Sequence, residues 1–312
     1  MLLVLLALRL SPAVVLAHGG EGHVTERWWA AWSLEPTLLV GLLLGALAYA
    51  RALGALWKRA GMGRGVRRWQ AFSFAGGLLA LVVALLSPID ALGEQLFSAH
   101  MVQHLLLIVV AAPLLVLGAP PVLWLWALPL QWRREVGRWW KHTPLRRYGW
   151  KFLSQPLVVW ALYAGILWLW HTPALYQAAL ESDLVHYLEH VSFLGSALLF
   201  WAVLADAGRR GQMGYGAGVL YIFTTGLHST ALGALITFAS APWYPIYAAS
   251  TGTWGLTPLE DQQLAGLIMW LPVGLIYLLV ALLLLAGWIK SAERRVRQRE
   301  QWERVAAERA SG

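Results

Sequence analysis

Polar side chains are rationed along this chain in a regular way. Apolar stretches close to the ~20 residues needed to cross a bilayer recur seven times, at roughly 35–57, 69–89, 100–127, 154–172, 184–205, 215–240 and 261–289. Such runs predict an all-α polytopic membrane bundle of seven transmembrane helices, because a backbone in lipid must satisfy its own hydrogen bonds. The third stretch carries Pro113, which is expected to kink it, and Pro120-Pro121, which is expected to end or redirect it. Ahead of the first lies MLLVLLALRLSPAVVLAHGG. It reads as a signal sequence over 1–17, with Ala17 before the cut, or as a short uncleaved leader. Residues 18–289 then form the transmembrane domain, and 290–312 a basic tail whose alternating charges fit a solvated or surface-lying helix.

The loops between the stretches differ in charge. The first loop carries Arg51, Lys58, Arg59, Arg64, Arg67 and Arg68, and the third Arg133, Arg134, Arg138, Lys141, Arg146, Arg147 and Lys151. The fifth carries Arg209 and Arg210, and the tail Lys290, Arg294, Arg295, Arg297, Arg299, Arg304 and Arg309. The even loops hold no Lys or Arg but carry Asp90, Glu94, Glu181, Asp183, Glu260 and Asp261. The positive-inside rule places the N-terminus outside and the C-terminus in the cytoplasm. The formal net charge of +8 is therefore a topological signal, and nucleic acid is not an expected partner. Charged residues are only 13% of the chain, against roughly 25% in soluble domains. The 20 tryptophans include several, such as Trp124 and Trp126, placed to form an interfacial belt. GxxxG at Gly41/Gly45 and Gly214/Gly218 predicts close helix packing.

That orientation makes the nine histidines one-sided. His100 and His104 in HMVQH open span three, His171 in WLWHTP ends span four, and His186 and His190 in HYLEH open span five, all at the outer face. His228 lies deeper, within span six; His18 and His23 lie on the outer N-terminal segment; only His142 falls in a cytoplasmic loop. Residues i and i+4 share a helix face at ~5–6 Å, so each HxxxH offers two imidazoles to one ion. With no cysteine, thiolate and iron–sulfur sites are excluded. The expected metal ligands are His100, His104, His171, His186, His190 and His228. All-imidazole ligation suits Cu, Zn, Fe or Ni, and paired histidines also ligate haem; spacing does not choose among them. Met101 points to another helix face than His100. If the chain is cut after Ala17, the new amine and the His18 imidazole form a copper chelate. Asp90, Glu94, Asp183, Glu189, Glu260 and Asp261 are individually expected to mark solvated loop ends, with second-shell support of the imidazoles as the alternative. HYLEH also fits HxxEH, a zinc-peptidase pattern with Glu189 as general base. Histidine-box oxygenases share the HxxxH spacing, but on the cytoplasmic side.

At these motifs the sequence resembles the CtaG family of bacterial cytochrome c oxidase assembly factors, named for the caa-type oxidase. The carriers are SAHMVQHLLLIVVAAPLLVLGAP at 98–120, LWHTPALYQAALESDLVHYLEHVSFLGSALLFW at 169–201, SAPWYPIYA at 240–248 and PLEDQQLAGLIMW at 258–270. His100, His104, His171, His186 and His190 match the family's motif positions, whereas His228 lies in a less patterned segment. The resemblance implies a non-enzymatic seven-span protein of the bacterial plasma membrane. It implies a copper metallochaperone acting at the extracytoplasmic face, with haem–copper oxidase subunits and an extracytoplasmic copper donor as partners, in a setting of membrane lipid. The alternatives are a copper transporter or sensor, or a haem- or metal-dependent membrane enzyme using the same histidines.

Overall fold

A computed structural model describes residues 28–118, 123, 126, 128–142, 149, 151–207 and 213–311. The leader with Ala17, His18 and His23, the Pro120-Pro121 pair, Trp124, Arg146, Arg147, Arg209 and Arg210 lie outside the described residues. Among the described residues the chain is helical, without strands. The helices are α1 (Pro36–Ala60), α2 (Arg68–Leu85), the short α3 (Pro88–Gly93), α4 (Phe97–Gly118), α5 (Leu130–His142), α6 (Pro156–Trp170), α7 (Pro173–Glu181), α8 (Asp183–Ala205), α9 (Tyr215–Thr237) and α10 (Pro258–Ser311). Six of them, α1, α2, α4, α8, α9 and α10, are long and apolar enough to cross a membrane, and the bent pair α6–α7 brings the count to seven if it is taken as one broken span.

Two spans differ from plain rods. In α4 the residues Leu106–Ala111 wind as a π-helix just before Pro113, and Ala112 N–H reaches back to the Leu107 carbonyl. The wider turn absorbs the missing proline N–H, so the span continues to Gly118 instead of ending at Pro113. Trp201 Nε1 of α8 donates to the Ile108 carbonyl inside that turn at 2.8 Å, so the disturbed backbone stays satisfied away from water. The fourth stretch is broken: α6 ends at Trp170 and the chain turns by 73° into α7. Pro173 sits at the first turn of α7 and Thr172 before it is extended (φ −69°, ψ 134°), as a residue preceding proline must be. The fifteen residues of α6 rise only ~22 Å, less than a full hydrocarbon core.

The core lies where α4, α6, α8, α9 and α10 meet, with Leu107, Phe200, Ile222 and Ile236 fully buried. Leu43 and Leu47 of α1, Phe72 of α2, Leu220 and Phe223 of α9 and Leu275 and Leu283 of α10 face outward. In water this band would be a large sticky surface; it is the face a bilayer covers. Polar contacts inside the bundle are paired across helices: Tyr163 and Tyr277 hydroxyls lie 2.8 Å apart, and Tyr49 donates to the Gly118 carbonyl at 2.8 Å. α10 runs without a break from Pro258 to Ser311, so the basic tail continues the last helix.

One close helix approach lies outside the GxxxG pairs. Gly218 packs near Ala207, but Gly214 faces open space. It is Gly266 of α10 that meets Thr237 and Gly233 of α9, where a Cβ would collide with the Thr237 hydroxyl and come within 2.8 Å of the Gly233 carbonyl. Gly266→Ala is therefore expected to push α9 and α10 apart and cost about 1–3 kcal/mol. The check is the thermal midpoint of the detergent-purified protein, with Gly214→Ala as a silent control.

Candidate metal centre

The site forms at one end of the bundle, where α4 and α8 begin and α6 stops. His100 and His104 are one helical turn apart on α4, with ring centroids 4.3 Å apart, and His186 and His190 repeat this on α8 at 4.3 Å. The two pairs face each other. His100 stacks on His186 at 5.3 Å, His104 meets His190 edge-on at 5.5 Å, and His171 approaches His104 at 6.4 Å. Five of the six expected ligands therefore share one layer.

Glu189 completes that layer. Its carboxylate is fully buried and lies 3.6 Å from His100 Nε2 and 3.7 Å from His104 Nε2. One ligand atom from each of His100, His104, Glu189 and His190 lies within 4.8 Å of the others. A tetrahedral ion with ~2.0–2.1 Å bonds needs ligand atoms roughly 3.4 Å apart, so small side-chain rotations close the set on one ion. The group also fits a cation chemically. The Nε2 atoms of His100, His104, His171, His186 and His190 and both Glu189 oxygens are buried without hydrogen-bond partners. A buried carboxylate and several unpaired imidazoles are costly in such a place unless a cation or protons join them. Ligand atoms this close can converge on a single ion.

His171 and His228 stand differently. His171 is at the break after α6, 4% exposed, with Nδ1 2.7 Å from the Leu167 carbonyl. A carbonyl only accepts, so Nδ1 carries the proton and Nε2 keeps its lone pair free. That lone pair is the fifth candidate donor. His228 lies apart, half-buried on α9 against Trp160 at 5.6 Å and Tyr163 at 6.4 Å, and is not among the grouped ligands.

The surrounding polar groups act as scaffolding. Asp261 of α10 is completely buried and accepts from Phe97 N–H at 2.7 Å, Ser98 N–H at 3.1 Å and the Ser98 hydroxyl at 2.5 Å. It thereby caps the first turn of α4, whose N–H groups have no partner within the helix. Gln103, next to His104, donates to the Ala84 carbonyl at 2.9 Å and to Asp90 at 2.6 Å. Tyr247 donates to the Gly93 carbonyl at 2.9 Å and accepts from Tyr176 at 2.7 Å, and Tyr244 donates to the His171 carbonyl at 2.8 Å. Tyr176 in turn lies edge-on to His100 at 5.2 Å. Glu260 is a loop-end residue as expected: with Thr257 it forms the capping box that opens α10. Asp261 and Glu189 are not solvated loop ends, because a neighbouring helix covers each of them. The tyrosines went unsingled in the sequence, where a single aromatic residue carries no signal of what it will touch. Glu189 did carry one, as a carboxylate three residues after His186 on the same helix face.

Two expected outcomes follow from this scaffold. Asp261→Ala leaves the Phe97 and Ser98 donors unpaired in a buried place, at a cost of about 1–3 kcal/mol. It should weaken metal retention although Asp261 touches no ligand atom; thermal melts beside metal titrations read both effects. At Asp90, burial lifts the carboxyl from 3.8 to about 6, against the lowering hydrogen bond from Gln103 and with the Glu94 and Glu35 charges adding to the rise. Folding thus favours the protonated acid. Its stabilisation is complete below about pH 4 and is lost as pH rises through about 6. Wild type should lose thermal stability relative to Asp90→Asn across that window; parallel curves would place the buried acid elsewhere.

The chain was compared with known proteins. It is 28% identical over 279 residues to uncharacterised proteins of Mycobacterium bovis and Mycobacterium tuberculosis, and 26% identical over 281 residues to one of Mycobacterium leprae. Each match covers 86% of this chain but 41% of the relative, so the chain spans about two fifths of their length. No solved structure matches it. The model of the cytochrome c oxidase caa3 assembly factor family matches residues 47–291, a stretch that holds every helix contributing to the histidine layer. A match over that much of the chain shows that it belongs to the cytochrome c oxidase caa3 assembly factor family.

Proposed function

We propose that the protein serves the assembly of a haem–copper oxidase by holding a metal ion, with copper as the cargo, in the layer formed by His100, His104, His171, His186 and His190 together with Glu189. The observation that carries this is the close grouping of three imidazoles and one carboxylate, buried and otherwise unpartnered, in a member of an oxidase assembly family. Imidazole and carboxylate without thiolate bind copper exchangeably, which suits delivery more than storage. His171, with its Nε2 free, stands beside the group as a donor for an ion in transit.

The protein acts in the bacterial plasma membrane. The loop charges put the N-terminus and the histidine layer at the extracytoplasmic face and the end of α10 in the cytoplasm. There the layer meets the oxidase subunits that receive copper and an extracytoplasmic donor that supplies it. The domain plan of leader 1–17, transmembrane domain 18–289 and tail 290–312 fits that arrangement, with the tail as the cytoplasmic extension of α10. Delivery is favoured over transport across the bilayer by what lies below the layer. The space beside His104 and His171 is walled by Leu105, Ile108, Val109, Leu167 and Val273 with Met101, Met269, Tyr163 and Ser229, and its described lining holds no imidazole beyond those two histidines and no carboxylate. Binding and exchange need no bond-making residue, so the role is non-enzymatic.

Metal analysis of full-length detergent-purified protein tests this directly. Wild type should carry about one copper per chain. His104→Ala with His190→Ala should fall to background, and His228→Ala should keep its metal. In a strain lacking the gene, wild type but not the double variant should restore copper to the oxidase. Unchanged copper in the double variant would overturn the site; zinc alone in wild type would overturn the cargo.

A further inference from the structure

A small cavity borders the histidine layer on the side toward the middle of the bundle, between α4, α6, α9 and α10. His104 and His171 line it together with Met101 of α4 and Met269 of α10. All of its lining residues except Leu105 are buried. Met101 stands three residues before His104, so the two share a helix face. The break after α6 brings in His171, whose ring lies 6.4 Å from that of His104. Both ring nitrogens of His104, Nε2 of His171 and the hydroxyl of Ser229, which also lines the cavity, are buried without hydrogen-bond partners.

Ordinary core packing does not explain this space. Methionine is flexible and adapts to fill irregular gaps, yet a cavity of about 40 Å³ remains where two of the chain's five methionines meet. A water-sized occupant needs only ~10–15 Å³, so an ion has room there. The donor types also differ from those of the layer. The layer joins imidazoles to the Glu189 carboxylate, whereas the lining of the cavity offers two imidazoles and two thioethers and no carboxylate. Thioethers are soft ligands that select Cu(I), while carboxylates suit harder divalent ions. A neutral ligand set away from water also tolerates one positive charge better than two.

We propose that this cavity is a second metal station, selective for Cu(I), in which the thioethers of Met101 and Met269 join the imidazoles of His104 and His171. The proposal rests on copper being the cargo of the layer, and it names the oxidation state that imidazoles by themselves leave open. His104 belongs to both sets. The layer and the cavity therefore hold one ion in turn, and a turn of that one ring passes it between them. The step exchanges ligands only, and the ion keeps its oxidation state.

The test is anaerobic titration of full-length detergent-purified protein with Cu(I) against a competing Cu(I) chelator, with X-ray absorption at the copper edge of the loaded protein. Cu(II) is titrated separately in air. Wild type should bind Cu(I) with sulfur neighbours in the absorption spectrum. Met101→Leu with Met269→Leu nearly conserves side-chain volume. It should weaken Cu(I) binding about 100-fold, the upper end of what loss of a supporting group costs a metal site, and remove the sulfur signal. Its Cu(II) binding should be unchanged. Met213→Leu, buried but outside the cavity, should alter neither. If the pair fails to fold, Met269→Leu alone replaces it and should remove one of the two sulfur neighbours. A sulfur-free Cu(I) spectrum in wild type, an unaffected methionine variant, or an equal loss of Cu(II) would overturn the thioether station while leaving the layer's role intact. Wild type that binds neither Cu(I) nor Cu(II) would overturn that role, and the station with it.

Discussion

The histidine layer depends on a carboxylate that binds no metal. Asp261 reaches from α10 to the start of α4 and accepts three hydrogen bonds from Phe97 and Ser98. The open N–H groups of a helix start are costly away from water, and a buried carboxylate is costly without donors. Each removes the other's penalty, so the two elements are locked in one register although more than 160 residues separate them. His100 follows within the first turn of α4 and His104 one turn later. Once that start is pinned, their rings must point into the space that α8 fills.

The same economy of polar groups runs through the rest of the bundle. Where the π-helix of α4 disturbs its ladder, Trp201 supplies a donor to Ile108. Where the chain breaks after α6, Tyr244 takes the His171 carbonyl and Leu167 takes its Nδ1 proton. The Nε2 atoms of the five grouped histidines and the Glu189 oxygens are buried without hydrogen-bond partners, and their convergence in one place suits a cation. The segments that carry the family resemblance divide along the same line: 98–120 and 169–201 hold the candidate ligands, while 240–248 and 258–270 hold Tyr244, Tyr247 and Asp261, which pack and hydrogen-bond around them.

The two ends of the molecule are chemically opposed. One gathers imidazoles and carboxylates in the interior, the other guanidinium groups and tryptophans at the rim. Helices that run antiparallel bring like ends together, so a bias spread over several loops gathers at the two ends of the bundle.

Much of this was legible in the chain alone. Apolar length located the long helices, because the bilayer imposes a length that side-chain detail cannot override, although the third ends at Gly118 rather than near 127 and the last runs on to Ser311. The two HxxxH pairs and His171 were legible as candidate ligands at span ends, since i and i+4 on a helix have one geometric meaning. What sequence could not decide was which helix faces which. Helix adjacency brings Glu189 to His100 and His104, carries Asp261 to the cap of α4, and separates His228 from the layer. Each of these depends on contacts between segments far apart in the chain, for which local spacing holds no information. The break after α6 lay between the two: Pro173 was visible, but the 73° turn that buries His171 beside the other histidines is set by packing.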